Sequence, residues 1–547
     1  MSIFIYPIRL MLVHYLFVLL CATPILGLLS EDLLEIVSNG PNRNTDEIQS
    51  LIEQIEKAAD DINTAATHAI VARSSSAVAR SSAACALSRL IFLGRVIASS
   101  SPNYISEQDV NWSSTCWLSA ACFVRVNGPV EIAVTLRIIT ATQSKFSVRG
   151  GGHTPNPGFS SVDNGGILID LQNIKTLSLG RDGVLQVGPG NNWKAVYDYV
   201  EGHGRAAKGA RVQDVGVPGF LLGGGLVFFP SLHGLAVDSI TSYELVLANS
   251  SIVYASRQQN IDLFLALKGG GTNFGVVTRF TITTYPAIPA QYSLTVYNAS
   301  DYPNILNATI QVQKAMESDP NIDIFVSVAP AAVTVGLLYA DWLPEPPQAF
   351  NTFFGLSSLL ESPIALTNGS IGSFEAAMDK LGPPHAARRL PSTATTTYDL
   401  DFYIYHHERF LEIVRNYPSL SSANISYTIA PLASTAVREG IKRGGNSLGL
   451  DDVPQTWWSY PLEWAEAKDD FAAQQLSAEL VSGVQSLANE RGRLLKFHFM
   501  NHASYTQDVL DSYGKENLKR LRSAAESADP KRMFQNLQND GFLLRKL

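Results

Sequence analysis

Three glycine clusters in the first half of the chain constrain its fold more than any other feature. They are RGGGHTPNPG at Arg149–Gly158, GVPGFLLGGG at Gly216–Gly225 and KGGGTNFG at Lys268–Gly275. Glycine permits positive φ and a close approach of a ligand to the main chain, and successive amides in such turns form an anion-binding concavity. The clusters therefore predict one cradle for a diphosphate. None of them matches GxGxxG after a strand, so a Rossmann domain is not supported.

The composition is that of an ordinary globular protein. The chain has 547 residues, of which 46% are hydrophobic and 16% charged, and this is enough to bury large cores in two domains. Its net charge is -8, and its Lys and Arg residues are scattered, so we expect no nucleic acid partner. The cysteines show no metal-ligand spacing, and we expect no metal.

The N-terminus predicts entry into the secretory pathway. Arg9 precedes an apolar run from Leu10 to Leu20 that is short for a membrane span, and a charged segment begins at Glu31. This pattern predicts a signal peptide over residues 1–27, a secreted or secretory-pathway protein, and no membrane contact after cleavage; an uncleaved anchor is the alternative. Six Asn-x-Ser/Thr sequons agree with this compartment and are predicted glycosylation sites: Asn111, Asn249, Asn298, Asn307, Asn368 and Asn424.

Three cysteines remain once Cys21 leaves with the signal peptide. Cys85 lies in a helical segment and Cys122 begins the apolar run CFVRV, so a disulfide between them would tie a helix to a sheet. Cys116 would then be a free thiol. The alternative is three buried thiols.

Beyond a helical segment from Thr45 to Ser100, strand-like and helix-like patterns alternate in short units, which indicates α+β or α/β organisation. Trp193, Val196, Tyr197 and Val200 have the spacing of one helix face. SYELVLANSSIVYAS, residues 242–256, predicts a hairpin with a polar turn. After Pro286 glycine clusters become rare until GGNSLG, and we predict a second domain there.

The three clusters, together with HGLAVDSI and ALKGGGTNFGVVT, resemble in order and spacing the FAD-linked oxidases of the vanillyl alcohol oxidase and p-cresol methylhydroxylase (PCMH) superfamily, specifically the berberine bridge enzyme-like branch of fungi and plants. The resemblance extends from Cys85 to Pro286 and resumes in FHFMNHASYTQDVLDSYGKENLKRL and ADPKRMFQNLQ. It implies an α+β protein with an FAD-binding domain of two α/β subdomains over residues 28–290, whose PCMH-type core covers 116–288. A substrate domain over 291–494 would have an antiparallel sheet covered by helices, and residues 495–547 would return to the FAD domain. We expect a monomer.

The resemblance also implies how FAD is held. His153 would be linked covalently to the flavin through its 8-methyl group. Many members have a second link through a cysteine, but Val212 occupies the matching position here, so we expect one link only. The residues implied to bind FAD are Arg149, Gly150, Gly151, Gly152, His153, Gly158, Gly216, Gly219, Gly223, Gly224, Gly225, Asn273, Gly275 and Asn501.

The segment QTWWSYPLEW, Gln455–Trp464, is implied to be the strand that faces the flavin. Ser459 stands where some relatives have an acidic or amide residue and is a poor base, so Tyr460 is predicted to carry the proton. The alternative is that the aromatic residues of this strand are core residues. His502, beside Asn501, is the second catalytic candidate, because its ordinary pKa lies near 6.5; alternatively it only fills space beside the ring.

These implications together predict an FAD-dependent oxidoreductase. We expect it to oxidise a small, largely apolar natural product in fungal secondary-metabolite biosynthesis, with hydride passing to FAD and O2 reoxidising it. The alternatives are a redox-neutral cyclase or isomerase on the same scaffold, a carbohydrate or alcohol oxidase, and a non-enzymatic secreted glycoprotein. The middle of the chain has no motif that would identify the substrate.

Overall fold

The computed structural model describes residues 76–382 and 387–547. The predicted signal peptide and the predicted helical segment up to residue 75 lie outside the described residues. At the start of the described chain, the Ser76 hydroxyl accepts a hydrogen bond from the Ala79 backbone N–H (3.3 Å) and caps the first helix.

The first half of the described chain forms two small sheets that pack with helices, and a separate two-stranded pair. In chain order its elements are α1 (Ala77–Ile91), β1 (Val96–Ala98), α2 (Tyr104–Gln108), β2 (Cys122–Arg125), α3 (Pro129–Thr142), β3 (Lys145–Arg149), β4 (Gly166–Asp170), β5 (Leu177–Leu179), β6 (Val184–Val187), α4 (Trp193–Glu201), β7 (Arg205–Ala206), α5 (Val217–Leu222), α6 (Pro230–His233), β8 (Ile240–Val246), β9 (Ile252–Ser256), α7 (Ile261–Leu267), β10 (Val276–Thr283) and β11 (Tyr285–Pro286). One sheet has the order β1-β2-β4-β3, in which β4 runs parallel to both β2 and β3. The other has the order β5-β6-β10-β8-β9 and is antiparallel. The two-stranded pair consists of β7 and β11.

Local sequence patterns in this half are confirmed by the elements that they form. Helix α4 begins after Asn192, whose side chain accepts a hydrogen bond from the Ala195 N–H (3.1 Å). It buries the four residues of its predicted inner face, Trp193, Val196, Tyr197 and Val200. Strands β8 and β9 form the predicted hairpin, in which Val246 pairs with Ile252 beside the polar turn.

The cysteine pairing is also resolved. Cys85 of α1 and Cys122 of β2 form a disulfide with an S–S distance of 2.06 Å, whereas Cys116 is free and buried. The disulfide therefore ties the first described helix to the β1-β2-β4-β3 sheet, and the alternative of three thiols is excluded.

The second half of the described chain is built on a long antiparallel sheet. Its elements are β12 (Pro289–Asn298), α8 (Tyr302–Ala315), β13 (Ile322–Val328), β14 (Ala332–Tyr339), α9 (Asn351–Phe354), β15 (Leu359–Ser370), α10 (Ile371–Asp379), β16 (Arg388–Leu390), β17 (Thr393–Thr396), α11 (Leu400–Arg415), β18 (Asn424–Ile425), β19 (Tyr427–Leu432), α12 (Ser434–Lys442), β20 (Gln455–Ser459), β21 (Leu462–Trp464), α13 (Asp470–Glu490), β22 (Leu494–Leu495), α14 (Lys515–Ala528) and α15 (Met533–Asn536). The large sheet has the strand order β15-β12-β14-β13-β19-β20-β17-β22. Strands β16, β21 and β18 form a separate small sheet.

The two faces of the large sheet belong to different cores. On one face, Ile429 and Trp458 pack in a core with helices α8, α11 and α13. On the other face, Ala430, Leu432 and Trp457 belong to the core of the first half of the chain. One face is therefore covered by helices of its own domain, and the other is applied to the glycine-rich domain.

The segment QTWWSYPLEW is two strands and not one. Strand β20 ends at Ser459, and β21 begins at Leu462 in the small sheet. Pro461 lies between them, where it cannot donate a ladder hydrogen bond.

The C-terminal residues pack on the first half of the chain. Phe497 and Leu544 belong to one of its cores, and Met533 and Phe534 of α15 belong to the core beneath the β1-β2-β4-β3 sheet. None of the described helices is long and apolar enough to cross a membrane. The α+β fold class predicted from the sequence is confirmed.

Candidate active site

The first two glycine clusters cross each other at van der Waals distance. The first cluster follows β3, and the second begins at the N-terminus of α5. A Cβ atom added to Gly151 would lie 2.5 Å from Cα of Gly216, and one added to Gly216 would lie 2.6 Å from the backbone N of Gly151. Each position excludes any side chain, so the two loops form one continuous surface of main chain.

The amides of the first cluster lack acceptors within the protein. In the described residues, the backbone N–H groups of Gly150, Gly151, Gly152 and His153 donate no hydrogen bond to a protein atom. Unpaired main-chain amides of this kind require a partner from solvent or from a ligand. Four successive donors fit the phosphate oxygens of a dinucleotide, as the sequence predicts.

The second cluster leaves room beside these amides. Gly219 lies in α5, is exposed, and has no heavy atom within 4 Å of the position that its Cβ would take. Gly223 leaves space for the side chain of Asn501, whose Nδ2 donates to the Gly219 carbonyl (3.0 Å) and whose Oδ1 accepts from the Gly225 N–H (3.1 Å). Asn501 therefore fixes the backbone of the Gly219–Gly225 segment. The turn in this segment also requires positive φ at Gly224 (φ +111°).

The side chain of Arg149 lies in a buried cluster of ion pairs. Its buried guanidinium donates to Asp170 Oδ2 (2.9 and 2.5 Å), to the Asn111 side chain (3.2 Å) and to both the carboxylate and the carbonyl of Glu107. Because these partners occupy its donors, the side chain cannot bind a diphosphate. The Arg149 side chain instead fixes the end of β3 from which the glycine loop departs, and the predicted contact of this residue with FAD, through the main chain, stays a prediction.

The third cluster supports the second. The Gly271 N–H donates to the Leu222 carbonyl at the end of α5 (3.2 Å). Asn273 is fully buried: its Nδ2 donates to the carbonyls of Gly270 and Phe542, and its Oδ1 accepts from Gln535 and Leu544. The side-chain amide of Asn273 therefore joins the C-terminal segment to this loop, and a contact of Asn273 with FAD stays a prediction for its backbone.

Two further predicted FAD residues also contact protein. A Cβ on Gly275 would lie 2.7 Å from the Val246 carbonyl, so this glycine permits close strand packing. Gly158 has φ +86°, and its missing side chain leaves space for Asn539, whose Nδ2 donates to the Gly158 carbonyl (3.1 Å). Both glycines therefore allow close packing of the protein around the cradle.

His153 is held by stacked side chains. Its ring lies parallel to the indole of Trp112, with a centroid distance of 4.4 Å and an interplanar angle of 12°. The guanidinium of Arg389 lies 4.0 Å from the centroid of the Trp112 ring. Burial lowers the pKa of His153 to about 4, and the Arg389 charge contributes to this effect. The imidazole is therefore neutral at physiological pH and retains a lone pair on nitrogen.

His502 lies between the two domains. Its ring contacts Phe499 edge-on at 4.9 Å, and Phe499 packs on Trp457 of β20 at 4.5 Å. Burial lowers the pKa of His502 to about 4, with an additional contribution from the charge of Arg211. The neighbouring Asn501 places this turn against the second glycine cluster. His502 is thus a neutral group at the side of the cradle that faces the sheet.

Arg211 joins the glycine-rich domain to the sheet. It donates to both oxygens of Asp323 on β13 (3.3 and 3.2 Å) and to the Val227 carbonyl (3.0 Å). Burial raises the pKa of Asp323, but Arg211 and two backbone amides oppose this rise. Asp323 is therefore a paired carboxylate and not a free base. Val212, next in the chain, is 53% exposed and has no nucleophilic atom.

Tyr460 points away from the cradle. It follows β20 on the side of Trp458, within the helix-covered core, and its hydroxyl is hydrogen-bonded to Nε2 of His406 on α11 (2.8 Å). Burial raises the pKa of Tyr460 well above its ordinary value and lowers that of His406 to about 3. The prediction that Tyr460 is catalytic is wrong, because strand alternation directs it to the opposite face from Ser459.

The face of the sheet toward the glycine-rich domain carries a row of hydroxyl groups. Ser327, Thr428 and Ser459 are in register on β13, β19 and β20, and all three are half-buried. Within the described chain their hydroxyls have no hydrogen-bond partner. Strands β12, β13, β14, β17, β19 and β20 carry one charged side chain, Asp323. This surface can therefore bind a neutral molecule through a few hydrogen bonds.

The sequons differ in exposure. Asn111 is 2% exposed, its Nδ2 donates to Ser160 (2.8 Å), and its Oδ1 accepts from Arg149. A glycan cannot be accommodated on this buried amide in the folded chain, so the predicted site at Asn111 is wrong. The other five are exposed, namely Asn249, Asn298, Asn307, Asn368 and Asn424.

A main-chain surface with unpaired amides, a neutral histidine at its exit and a facing sheet whose one charged side chain is paired agree with a flavin-binding oxidoreductase. Residues 120–256 match the model of the FAD binding domain family. Among curated relatives, an FAD-dependent monooxygenase of Arthrobotrys oligospora is 32% identical, over 80% of this chain and 85% of the relative. The bifunctional solanapyrone synthase of Alternaria solani is 33% identical, over 82% and 86%.

Solved structures share the fold. The berberine bridge enzyme-like protein 1 of Physcomitrella patens aligns with a TM-score of 0.70 and 17% identity, over 82% of this chain and 97% of that one. A glucooligosaccharide oxidase from Acremonium strictum, described as carrying 6-S-cysteinyl, 8α-N1-histidyl FAD, aligns with a TM-score of 0.67 and 17% identity, over 81% and 95%. The chain belongs to the same family of FAD-dependent oxidoreductases as these fungal relatives, and it shares the fold of the berberine bridge enzyme-like protein.

Several site residues were missed from the sequence. Trp112, Arg389 and Arg211 come from loops and a short strand without a motif, and only the fold brings them to the cradle. Arg211 had a positional signal, because it adjoins Val212 in the segment matched to the second flavin link. The row of hydroxyl groups could be found only once the register of β13, β19 and β20 was known.

Proposed function

We propose that the protein is an FAD-linked oxidase of a small, largely apolar natural product in fungal secondary metabolism. FAD is linked covalently through His153 alone, and O2 reoxidises it. The protein acts as a secreted monomer. Bound FAD would supply the acceptor for a hydride and return the electrons to O2.

One observation carries this proposal. The four unpaired amides from Gly150 to His153 lead directly to an imidazole that burial keeps neutral. The amides would hold the diphosphate, and a neutral imidazole nitrogen is the form that can bond to the 8-methyl carbon. The glucooligosaccharide oxidase, whose FAD bears histidyl and cysteinyl links, supports the histidyl part by analogy. Val212 favours a single link.

The substrate class follows from the opposite wall. The row of Ser327, Thr428 and Ser459 offers hydroxyl groups but no charge, and Trp457 and Ala430 lie beside it. A neutral ring system with a few oxygen atoms fits such a wall better than an ionised substrate does. The hydroxyls orient the substrate, and the aromatic and alanine side chains exclude water.

His502 is the proposed base. One of its ring nitrogens accepts the proton of a substrate hydroxyl or acidic C–H as hydride leaves. Its pKa of about 4 ensures that the ring is unprotonated over the physiological range, and Arg211 helps to keep it so. Tyr460 takes no part, since it lies in the core behind the sheet.

The first test is the state of the flavin. Purified protein is precipitated with acid, and flavin absorbance is measured in pellet and supernatant. We expect yellow colour in the pellet of the native protein and of His203→Ala, an exposed histidine used as control. His153→Ala should release its flavin into the supernatant. Flavin in the native supernatant would refute the covalent link, and a colourless native protein would refute the flavoenzyme assignment.

The second test separates the oxidase from its competitors. The names of the relatives favour a monooxygenase or a synthase, and that of the glucooligosaccharide oxidase favours a carbohydrate oxidase. An oxidase releases one H2O2 per product and incorporates no label from 18O2. A monooxygenase incorporates label, and a redox-neutral cyclase consumes no O2. Flavin bleaching by oligosaccharides but not by apolar phenols and alcohols would overturn the proposed substrate class.

A further inference from the structure

One residue, Trp112, contacts both the ring of His153 and the backbone that precedes it. The Trp112 ring lies against the imidazole, with ring centroids 4.4 Å apart and an interplanar angle of 12°. The backbone N–H of Trp112 donates to the Gly152 carbonyl (3.0 Å). The same residue therefore fixes both the plane of the His153 ring and the backbone that precedes it. An imidazole held in this way has lost most of its rotational freedom before any ligand arrives.

The tryptophan is in turn held by the substrate domain. Arg389 of β16 places its guanidinium 4.0 Å from the Trp112 ring centroid and donates to the Trp112 carbonyl. Its Nε donates to Glu463 Oε1 of β21 (2.6 Å), and its backbone N–H donates to Ser113 Oγ (2.9 Å). Arg389 is 3% exposed. A buried cation on an indole face is a favourable contact, so the Trp112 ring has a fixed place.

None of these contacts is needed to bind a dinucleotide. The predicted diphosphate donors are backbone amides. The side chains of Trp112 and Arg389 reach the site only through the His153 ring, and the backbone N–H of residue 112 can bind the Gly152 carbonyl whatever side chain it carries. What the arrangement controls is the direction of the imidazole nitrogens and their protonation. A bond-forming reaction at nitrogen depends on both, because it requires a lone pair aimed at carbon.

We propose that Trp112 and Arg389 are positioning residues for the covalent attachment of FAD to His153. The indole orients the imidazole, and the guanidinium fixes the indole. This inference rests on the proposed link through His153. It makes attachment a property of the assembled two-domain protein, because the glycine loop supplies the histidine and the substrate domain supplies the arginine.

Attachment would form one bond and break two. A bond forms between an imidazole nitrogen and the 8-methyl carbon of the flavin, while one methyl C–H bond and the imidazole N–H bond break. The two hydrogens, as two protons and the electron pair of the C–H bond, pass to the flavin ring system. Dioxygen takes up both electrons and both protons, H2O2 leaves, and the linked flavin is again oxidised.

The neutral state of His153 agrees with this role. Its pKa of about 4 results first from burial and then from the Arg389 charge. Both effects keep the second nitrogen unprotonated at neutral pH. Arg389 thus acts on the imidazole through space as well as through the indole.

The test measures attachment separately from activity. Each variant is expressed as the full chain and incubated with FAD in air, and total flavin and acid-resistant flavin per protein are followed with time. The variants are Trp112→Leu, Trp112→Phe and Arg389→Gln. Trp117→Leu is the matched control, because Trp117 lies in the same loop and hydrogen-bonds to the Asn111 carbonyl instead of stacking on His153.

We expect attachment to slow by about tenfold to a hundredfold in Trp112→Leu, the loss typical of a misplaced reacting group, while FAD that can be extracted by acid is still bound. Trp112→Phe should restore most of the rate, since it keeps a flat ring. Arg389→Gln should be slowed to an intermediate extent, and Trp117→Leu should match the native protein. Rescue by phenylalanine distinguishes orientation from a general loss of stability.

The outcomes are distinguishable. Native-like attachment rates in both Trp112→Leu and Arg389→Gln would overturn this inference and leave the link through His153 intact. A native protein that binds FAD without acid-resistant flavin would overturn the link and the inference together. If Trp112→Leu does not fold, the attachment rates of Trp112→Phe and Arg389→Gln are compared with that of the native protein. A native attachment rate in Arg389→Gln would then refute the proposal.

Discussion

Gly151 and Gly216, which come from different glycine clusters, pass so closely that neither can bear a side chain. An added Cβ on either one would lie within 2.5 or 2.6 Å of main-chain atoms of the other. The contact is backbone against backbone, so no rotamer change can relieve it. It joins the loop that leaves β3 to the turn that begins α5.

Gly216→Ala is expected to disrupt this crossing. Overpacking of this kind costs about 1–3 kcal/mol, and the displaced amides should reduce FAD content as well. The measurements are the thermal midpoint of unfolding and the flavin-to-protein absorbance ratio.

The matched variant is Gly219→Ala, whose Cβ would meet no protein atom. In the FAD-free protein it should be neutral or stabilising by about 0.5–1 kcal/mol, because alanine is the better helix residue. FAD affinity should nevertheless fall, since the methyl group would enter the space predicted for the cofactor. Unchanged FAD affinity in Gly219→Ala would remove this glycine from the cradle.

Tyr460→Phe is expected to affect stability and not chemistry. It deletes the hydroxyl bonded to Nε2 of His406, whose Nδ1 has no hydrogen-bond partner in the described part of the chain. Leaving a buried polar group unsatisfied costs about 1–3 kcal/mol. Chemical denaturation should show this loss, while stopped-flow measurements give a native rate of flavin reduction. A reduction rate lowered tenfold or more would return Tyr460 to the mechanism.

His502→Asn is expected to slow flavin reduction, with flavin content unchanged. As the proposed base, His502 would be active when neutral, so the reduction rate of the native protein should rise with pH through about 4 and be level near neutrality. Removing the nearby charge in Arg211→Gln should raise the pKa of His502 and move this midpoint upward by about one unit. Arg211→Lys keeps the charge and serves as the control. A midpoint that is the same in all three proteins would exclude control of His502 by Arg211.

Glycans are expected on exposed sequons only. If the chain enters the secretory pathway, enzymatic deglycosylation in 18O water should label Asn249, Asn298, Asn307, Asn368 or Asn424 but never Asn111, because the Asn111 amide is buried and bonded to Ser160. Peptide mass spectrometry reads out the label, and the same digest locates the mature N-terminus. Label at Asn111 would contradict the buried position of this loop.

The cradle could be predicted from the sequence because its chemistry is local. Glycines at Gly150–Gly152 and at Gly216 leave a signature wherever main chain must approach main chain or ligand, and His153 stands directly beside them. Helix α4 and the hairpin of β8 and β9 follow from periodicity and turn residues in the same way. The C-terminal contacts of Asn273 could not be predicted, since the motif shows a conspicuous amide but not its partners.

The error over Tyr460 has a physical cause. A strand that is buried on both faces has no alternation of polar and apolar residues, and Trp457 and Trp458 are equally buried on opposite faces. The sequence of β20 then does not indicate which face of the sheet each side chain points to, and an error of one residue exchanges the two faces. The predicted glycosylation site at Asn111 was wrong for a related reason, because a sequon specifies the residue types but not their exposure.

Neighbouring residues of strand β20 face different constraints on substitution. Trp458, on the helix side, maintains the core, whereas Ser459 borders the space next to the cradle. Substrate range can therefore drift through changes at Ser459 while the two cores that Trp457 and Trp458 fill are preserved. A mutant library confined to Ser459 should retain more folded, flavin-loaded members than one of equal size confined to Trp458.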